Sequence, residues 1–186
     1  MHLAGVFDAA CAGQAERPCV VFGDRRLNYG QVQREAQALA AALAAQGTAP
    51  GARIAVNLPN WPEWVASALA TAYLGGTLVP VNPGLGFHEL KYQLRHSEVS
   101  VVVTAELWDG RDFLEMFEDL AAELPDLRCI VAVGPRELRY DERTFRYEDL
   151  TPASATGSRI SATTSFFSRM VSLVMNFAGP TKNVAM

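Results

Sequence analysis

Two histidines are the first residues whose type and spacing could do chemistry. His88 and His96 lie eight positions apart, which is two turns on one face of a helix, where paired imidazoles can bind a metal ion. A zinc site needs further cysteine, histidine or carboxylate ligands, and none stands at a fitting spacing. We therefore predict two solvated helix residues and assign no metal ligand.

A run of acids offers the next chemistry. The carboxylates that compose it are Asp109, Asp112, Glu115, Glu118 and Asp119. Paired carboxylates can act as general acid and base, but a run at this spacing is more simply the solvent face of a helix. We predict such a face and assign no catalytic residue.

Cysteine usage bears on the compartment. Cys11, Cys19 and Cys129 are an odd number, and they are scattered without metal-ligand spacing. Any disulfide would leave one thiol over. We predict buried thiols in a reducing cytoplasm.

Short glycine motifs give no phosphate site by themselves. Thr156-Gly157-Ser158 follows no strong strand and precedes no convincing helix, so the context of a phosphate-binding loop is missing. Gly75-Gly76 ends a helical pattern instead of opening one, which excludes a dinucleotide fingerprint.

Bulk composition excludes several classes of protein. The chain has 186 residues, 49% of them hydrophobic, and a net charge of -4. An acidic chain without clustered Lys and Arg is a poor nucleic-acid binder. The first residues lack the basic start of a secretory signal, and the apolar run from Phe166 to Phe177 is too short to cross a bilayer. We expect no nucleic-acid partner and no membrane span.

Strand and helix patterns alternate along the first part of the chain. Leu3, Val6, Phe7 and Ala10 recur at helical spacing, and a hairpin follows over Cys19 to Tyr29. Asn28 and Gln31 form a capping box before a helix that Gly47 ends. Strands are predicted at 53–58, 77–81, 99–103 and 129–133, with helices at 61–73, 87–97 and 107–124 between them. Asn60 is the predicted cap of the helix that carries Trp61 and Trp64, which we assign to the core instead of an acyl pocket.

This alternation is typical of βαβ units and predicts an α/β fold with a layered, largely parallel sheet flanked by helices. The composition changes near residue 151. Eleven of the final 36 residues are Ser or Thr, and none is Asp or Glu. We predict an α/β part over 1–150 and a Ser/Thr-rich tail over 151–186, which is a linker, a disordered tail or a shifted reading frame.

Three segments carry a resemblance. They are Leu27-Asn28-Tyr29-Gly30-Gln31-Val32, Ile54-Ala55-Val56-Asn57-Leu58-Pro59-Asn60, and Ala72 to Pro83 through Gly75-Gly76-Thr77. Their order and spacing resemble the adenylate-forming (AMP-binding) enzymes, and the segment Val81-Asn82-Pro83 with Glu89 to Ser97 looks more like acyl-CoA synthetases than amino-acid adenylation domains. The resemblance implies the amino-terminal portion of the large domain of a carboxylate–CoA ligase.

The resemblance also implies ATP, Mg²⁺ and CoA for a full-length enzyme, with a small carboxylate as substrate. Its phosphate loop would follow Leu150, and the matching residues there are Gly179, Thr181 and Lys182. Phe177 and Ala178 stand where the family has hydroxyl residues, so these three are candidate remnants of a cofactor-binding loop. The family's Mg²⁺ ligand, ribose-binding and hinge motifs have no match here.

We therefore expect a fragment of a ligase that is inactive alone, with no cofactor bound by this chain. Three alternatives stay open. They are an adenylation-domain fragment for another carboxylate such as an amino acid, a non-catalytic α/β module that docks on a full-length synthetase or on itself through uncovered faces, and an unrelated doubly wound nucleotide-binding domain.

Overall fold

The computed structural model describes residues 2–134 and 143–151, which fall within one compact unit, Met1–Ser154. Its elements, in chain order, are α1 (Leu3–Cys11), β1 (Pro18–Phe22), β2 (Arg25–Asn28), α2 (Tyr29–Ala45), β3 (Arg53–Asn57), α3 (Pro62–Tyr73), β4 (Thr77–Pro80), α4 (Phe87–His96), β5 (Val101–Ala105), β6 (Leu107–Trp108), β7 (Arg111–Asp112), α5 (Phe113–Ala121), β8 (Cys129–Val133), β9 (Thr144–Arg146) and α6 (Tyr147–Leu150). The predicted α/β class is confirmed. The predicted tail over 151–186 lies, apart from Thr151, outside the described residues.

The central feature is a sheet of five parallel strands in the order β4-β3-β5-β8-β9. β5 and β8 are buried along their whole length, and β3 is buried except at Arg53. Such nearly continuous apolar strands are expected when helices cover both faces of a parallel sheet.

Two helical layers provide this cover. Side chains of α2 and α3 pack with Ile54, Val56 and Val103 on one face of the sheet. Side chains of α4 and α5 pack with Ala55, Val102 and neighbouring strand residues on the other face. The alternation of Ile54, Ala55 and Val56 between the two clusters follows from the two-residue repeat of a strand.

The start of α2 confirms the predicted capping box. The Asn28 side chain accepts a hydrogen bond from the Gln31 amide at 2.7 Å, and the Gln31 side chain accepts one from the Asn28 amide at 2.8 Å. These two bonds satisfy amides that otherwise lack partners at a helix start. The predicted helix near the amino terminus and the predicted hairpin are also present, as α1 and as β1 with β2.

Two predicted boundaries are wrong. The residues from Leu107 to Asp112 form the β6–β7 hairpin, and α5 begins only at Phe113. Asp109 and Gly110 both have positive φ angles, which is the Asp-Gly turn chemistry that closes a two-residue hairpin loop. Asn60 does not cap α3, because Trp61 occupies the cap position and makes no side-chain capping bond.

Candidate functional site

The strand order reverses between β3 and β5, and we call the carboxyl ends of these two strands the crevice. From β3 the chain crosses to β4 on one side, and from β4 it returns to β5 on the other side of β3. In open parallel sheets, ligands bind outside the carboxyl ends of the strands where the strand order reverses in this way. The carboxyl ends of β3 and β5 are therefore the place to search for functional side chains.

Two buried polar side chains meet at that position. Asn57 and Thr104 are the last register pair of β3 and β5, and both have no exposed surface. The Asn57 Nδ2 donates to Thr104 Oγ1 at 3.1 Å, and the Thr104 hydroxyl donates to the Ala105 carbonyl at 3.1 Å. The Thr104 hydroxyl has one proton, and it donates this proton to the Ala105 carbonyl. Its oxygen therefore accepts from Asn57 Nδ2, and this bond fixes which amide atom of Asn57 faces Thr104.

The fixed amide leaves an acceptor at the crevice. Asn57 Oδ1 is buried and has no hydrogen-bond partner in the part of the chain that the structure describes. A buried acceptor without a donor costs about 1 to 3 kcal/mol. Folding stability therefore does not explain why an amide side chain stands at position 57. Buried polar groups without a partner are common at functional positions.

A buried carboxylate, that of Glu106, directly follows β5. Glu106 is 1% exposed, and a Cβ atom added to Gly134 would collide with its carboxylate group. Its backbone amide donates to the Val133 carbonyl at 3.0 Å, and its carbonyl accepts from the Phe113 amide at 2.9 Å. Glu106 thus joins the ends of β5 and β8 to the start of α5.

Arg111 is a cation at the same edge of the sheet, and its guanidinium is engaged. It donates to the Pro83 carbonyl at 2.7 Å and to the Leu85 carbonyl at 2.5 Å, and it lies 5.0 Å from the centre of the Phe113 ring. These contacts fasten the β6–β7 hairpin to the loop between β4 and α4. In the described geometry, the role of Arg111 is therefore structural.

The polar atoms at the crevice do not suit a triphosphate. Phosphate oxygens are acceptors with negative charge, and they need amide donors and cations facing them. The ends of β3 and β5 carry the acceptor Asn57 Oδ1 and the Glu106 carboxylate. The guanidinium of Arg111 is bound to the Pro83 and Leu85 carbonyls.

A second cluster of titratable groups lies where α2, α3 and α6 meet. The Tyr147 hydroxyl donates to Glu35 Oε1 at 2.8 Å, and both residues are buried. Burial raises the pKa of Glu35, and the hydrogen bond from Tyr147 lowers it by less. Burial, with the charge of Glu35, raises the pKa of Tyr147 well above its ordinary value, so the phenol stays protonated.

The other side chains considered from the sequence have ordinary structural surroundings. His88 and His96 are exposed, with His96 stacked on Tyr92, and no cluster of metal-binding side chains occurs among the described residues. Trp61 and Trp64 pack partly buried against the core, as predicted. Within the acidic run, Asp112 caps α5 by accepting from the Glu115 amide at 3.1 Å.

The three thiols are free, with Cys11 and Cys129 buried and Cys19 partly buried. The phosphate-loop candidates Gly179, Thr181 and Lys182 lie outside the described residues. Among the described helices, none has the length and apolar character required to cross a bilayer.

Comparison with known proteins decides the family. The family described as AMP-binding enzyme matches residues 7–163. The chain belongs to this family. Membership confirms the resemblance drawn from the three sequence segments, and it removes the alternative of an unrelated doubly wound domain.

Relatives within the AMP-binding family include ligases and peptide synthetases. A long-chain-fatty-acid–CoA ligase of Bacillus subtilis is 35% identical over 105 residues, which cover 56% of this chain and 19% of the ligase. Triostin synthetase I of Streptomyces triostinicus is 31% identical over 125 residues, which cover 67% of this chain and 23% of the synthetase. The chain thus spans about a fifth to a quarter of the length of these relatives.

Solved structures of AMP-binding enzymes share the fold. Acetoacetyl-CoA synthetase from Streptomyces lividans matches with a TM-score of 0.73 and 26% identity over 86% of this chain and 26% of that one. The anthranilate CoA ligase AuaEII in complex with anthranoyl-AMP matches with a TM-score of 0.72 and 23% identity, over 87% of this chain and 30% of that one. The parallel sheet described above is therefore a sheet of the AMP-binding fold.

Sequence reasoning missed the residues at the crevice. Asn57 and Thr104 are each a single polar residue at the end of an apolar strand, and that position was the available signal. Their pairing became visible only from the register of β3 with β5.

Proposed function

We propose that this chain forms an α/β layer of an AMP-forming carboxylate–CoA ligase and catalyses no adenylation by itself. In the complete reaction, a carboxylate oxygen of the substrate attacks the α-phosphorus of ATP and pyrophosphate leaves. The thiol of CoA then attacks the acyl carbon, and AMP leaves. ATP, Mg²⁺ and CoA belong to that complete reaction, and the fatty-acid and other CoA ligases among the relatives and solved structures support it.

The observation that carries the proposal is the chemistry of the crevice. Among the described residues, the carboxyl ends of β3 and β5 carry the buried amide oxygen of Asn57, which has no hydrogen-bond donor, and the buried carboxylate of Glu106. Neither is the amide donor or cation that the oxygens of a triphosphate require. The layer therefore supplies the scaffold on which a ligase is built, and donors for ATP come from other segments.

Gly179, Thr181 and Lys182 are proposed as a degraded phosphate loop. The order of glycine, hydroxyl and cation fits a loop that receives phosphates, but Phe177 places a bulky apolar side chain where bare backbone and hydroxyl groups are needed. We propose that this loop does not bind the triphosphate.

The test is exchange of labelled pyrophosphate into ATP by the purified chain, with Mg²⁺ and a panel of fatty, aromatic and amino acids. The expected rate equals that of a reaction without protein, because the polar groups described at the crevice are an amide oxygen and a carboxylate. The chain carrying Lys182→Ala is the matched control. Exchange above background that is lost in this variant would show a working phosphate loop and refute the proposal.

A second candidate is a non-catalytic interaction module, favoured by apolar side chains on the surface. Leu3 and Val6 on α1 and Val21 and Phe22 on β1 are between 43% and 56% exposed. Exposed apolar residues of this size are common at sites where proteins associate. Sedimentation velocity distinguishes the candidates: a single stoichiometric oligomer that Phe22→Ser dissociates supports a module, and a monomer argues against it.

The proposed location is the cytoplasm. The three free thiols support it, because extracellular chains usually pair their cysteines.

A further inference from the structure

Glu35 joins two elements that are distant in sequence. It lies on α2 with 4% of its surface exposed, and its Oε1 accepts from the hydroxyl of Tyr147 on α6, 112 positions along the chain. The Thr151 hydroxyl in turn donates to the Tyr147 carbonyl at 2.7 Å. The end of the described chain is thus held against α2 by a buried carboxylate and a buried phenol.

The surroundings of this contact are rich in carboxylates. The charged groups that face Glu35, Tyr147 and Glu148 are the carboxylates of Glu63 on α3 and Glu106 after β5, and the guanidiniums of Arg25 on β2 and Arg146 on β9. Arg25 pairs with Glu63 at 2.8 Å, and Arg146 lies 3.8 Å from Glu148. Together with Glu35 and Glu148, the groups named here are four carboxylates and two guanidiniums.

This imbalance makes the ionised cluster unfavourable. Among residues 2–134 and 143–151, no cation pairs with Glu35, and Arg25 is bound to Glu63. The described hydrogen bond of Glu35 is the buried contact with Tyr147. Burying an ionised carboxylate without a cation is costly, and a group in that position takes up a proton instead. Burial also raises the pKa of Glu148, which is the neighbouring carboxylate on α6.

We propose that Glu35 and Tyr147 form a proton-linked latch between α2 and α6, closed while the carboxylate cluster holds a proton and loosened when all of its carboxylates are ionised. The latch holds α6 and Thr151 against α2. The inference concerns the fold of this chain and is independent of the proposed ligase reaction.

The direction of the pH dependence follows from linkage. A carboxyl group whose pKa is raised in the closed state binds its proton more tightly there than in the open state. Closure is therefore most favourable at acidic pH, and it weakens as pH rises from the ordinary glutamate value of about 4.3 toward the raised one. Across this window, one linked proton increases the opening constant by about tenfold per pH unit.

Hydrogen exchange of the amides in residues 144–151 measures the opening directly. Protection factors, which are corrected for intrinsic exchange, are determined between about pH 5 and about pH 8. In the wild-type chain they are expected to fall with rising pH. In Glu35→Gln, which keeps an acceptor for Tyr147 but cannot ionise, they are expected to stay higher and to fall less, because Glu148 is then the remaining carboxylate with a raised pKa.

Two further variants complete the design. Glu115→Gln removes one exposed carboxylate from α5, and we expect it to retain the wild-type slope. Glu148→Gln removes a charge that raises the pKa of Glu35, so we expect the fall to be smaller and to end at lower pH. This variant keeps the test decisive if Glu35→Gln does not fold. A flat wild-type profile, or an unchanged profile in both cluster variants, would overturn the latch.

Discussion

Replacement of Asn57 by alanine tests whether the buried amide at the crevice serves stability or another purpose. The substitution removes one hydrogen bond, from Asn57 Nδ2 to Thr104 Oγ1 at 3.1 Å, which contributes about 1 kcal/mol. It also removes three side-chain heavy atoms and leaves a small cavity, at a further cost of about 1 kcal/mol.

A gain opposes these losses. Asn57 Oδ1 is buried and has no donor among the residues that the structure describes, and its removal recovers about 1 to 3 kcal/mol. The Thr104 hydroxyl keeps its own acceptor, the Ala105 carbonyl, so the substitution leaves no new donor unpaired. The terms nearly cancel, and we expect Asn57→Ala to change the free energy of unfolding by less than about 1 kcal/mol.

The adjacent residue of β3 is the matched control. Val56 is also fully buried, in the core cluster that faces α2 and α3, and Val56→Ala is expected to cost about 2.5 kcal/mol because it removes two buried methyl groups and opens a cavity. Urea unfolding, followed by circular dichroism, measures both changes. If Asn57→Ala destabilises the chain as much as Val56→Ala does, the amide is a structural residue and our reasoning about the crevice is wrong.

Two further predictions concern the glycine pair after α3 and the order in which the thiols react. A Cβ atom on Gly76 would lie 2.8 Å from the Ala52 carbonyl oxygen, so Gly76→Ala is expected to lower the free energy of unfolding in urea by about 1 to 3 kcal/mol. Gly75 has a φ of 67° and open space around it, so the control Gly75→Asn is expected to cost less than about 1 kcal/mol. Equal losses in the two variants would contradict the close approach at Gly76. Burial raises the pKa of Cys129 to about 12, so iodoacetamide at about pH 8 is expected to modify the half-buried Cys19 first. Peptide mass spectrometry of the native chain reads the order, and prior modification of Cys129 would show that the core is open.

Local signals in the sequence were sufficient for many elements of the fold. The capping box at Asn28 and Gln31 and the apolar strands Arg53–Asn57 and Cys129–Val133 lie where the patterns predict them. Each of these signals is contained within a few residues. The hairpin before α5 was missed because its acids and apolar residues also fit a helical repeat, although the Asp109-Gly110 pair was the turn signal.

Contacts between distant segments were beyond the sequence. Asn57 meets Thr104 across 47 positions, and Glu35 meets Tyr147 across 112. Their proximity depends on the register of parallel strands and on which face each helix covers. The local sequence pattern predicts neither the strand register nor the face that a helix covers. The polar groups of the crevice and of the latch could therefore be recognised only in the folded chain.

Calorimetric titration of the chain with ATP and Mg²⁺ is the most direct test of the central claim, which is that this layer is a structural scaffold and does not bind a triphosphate. We predict no saturable heat at nucleotide concentrations up to about 1 mM, the upper end of ordinary substrate constants. Saturable binding below that concentration, with one nucleotide per chain, would contradict the account.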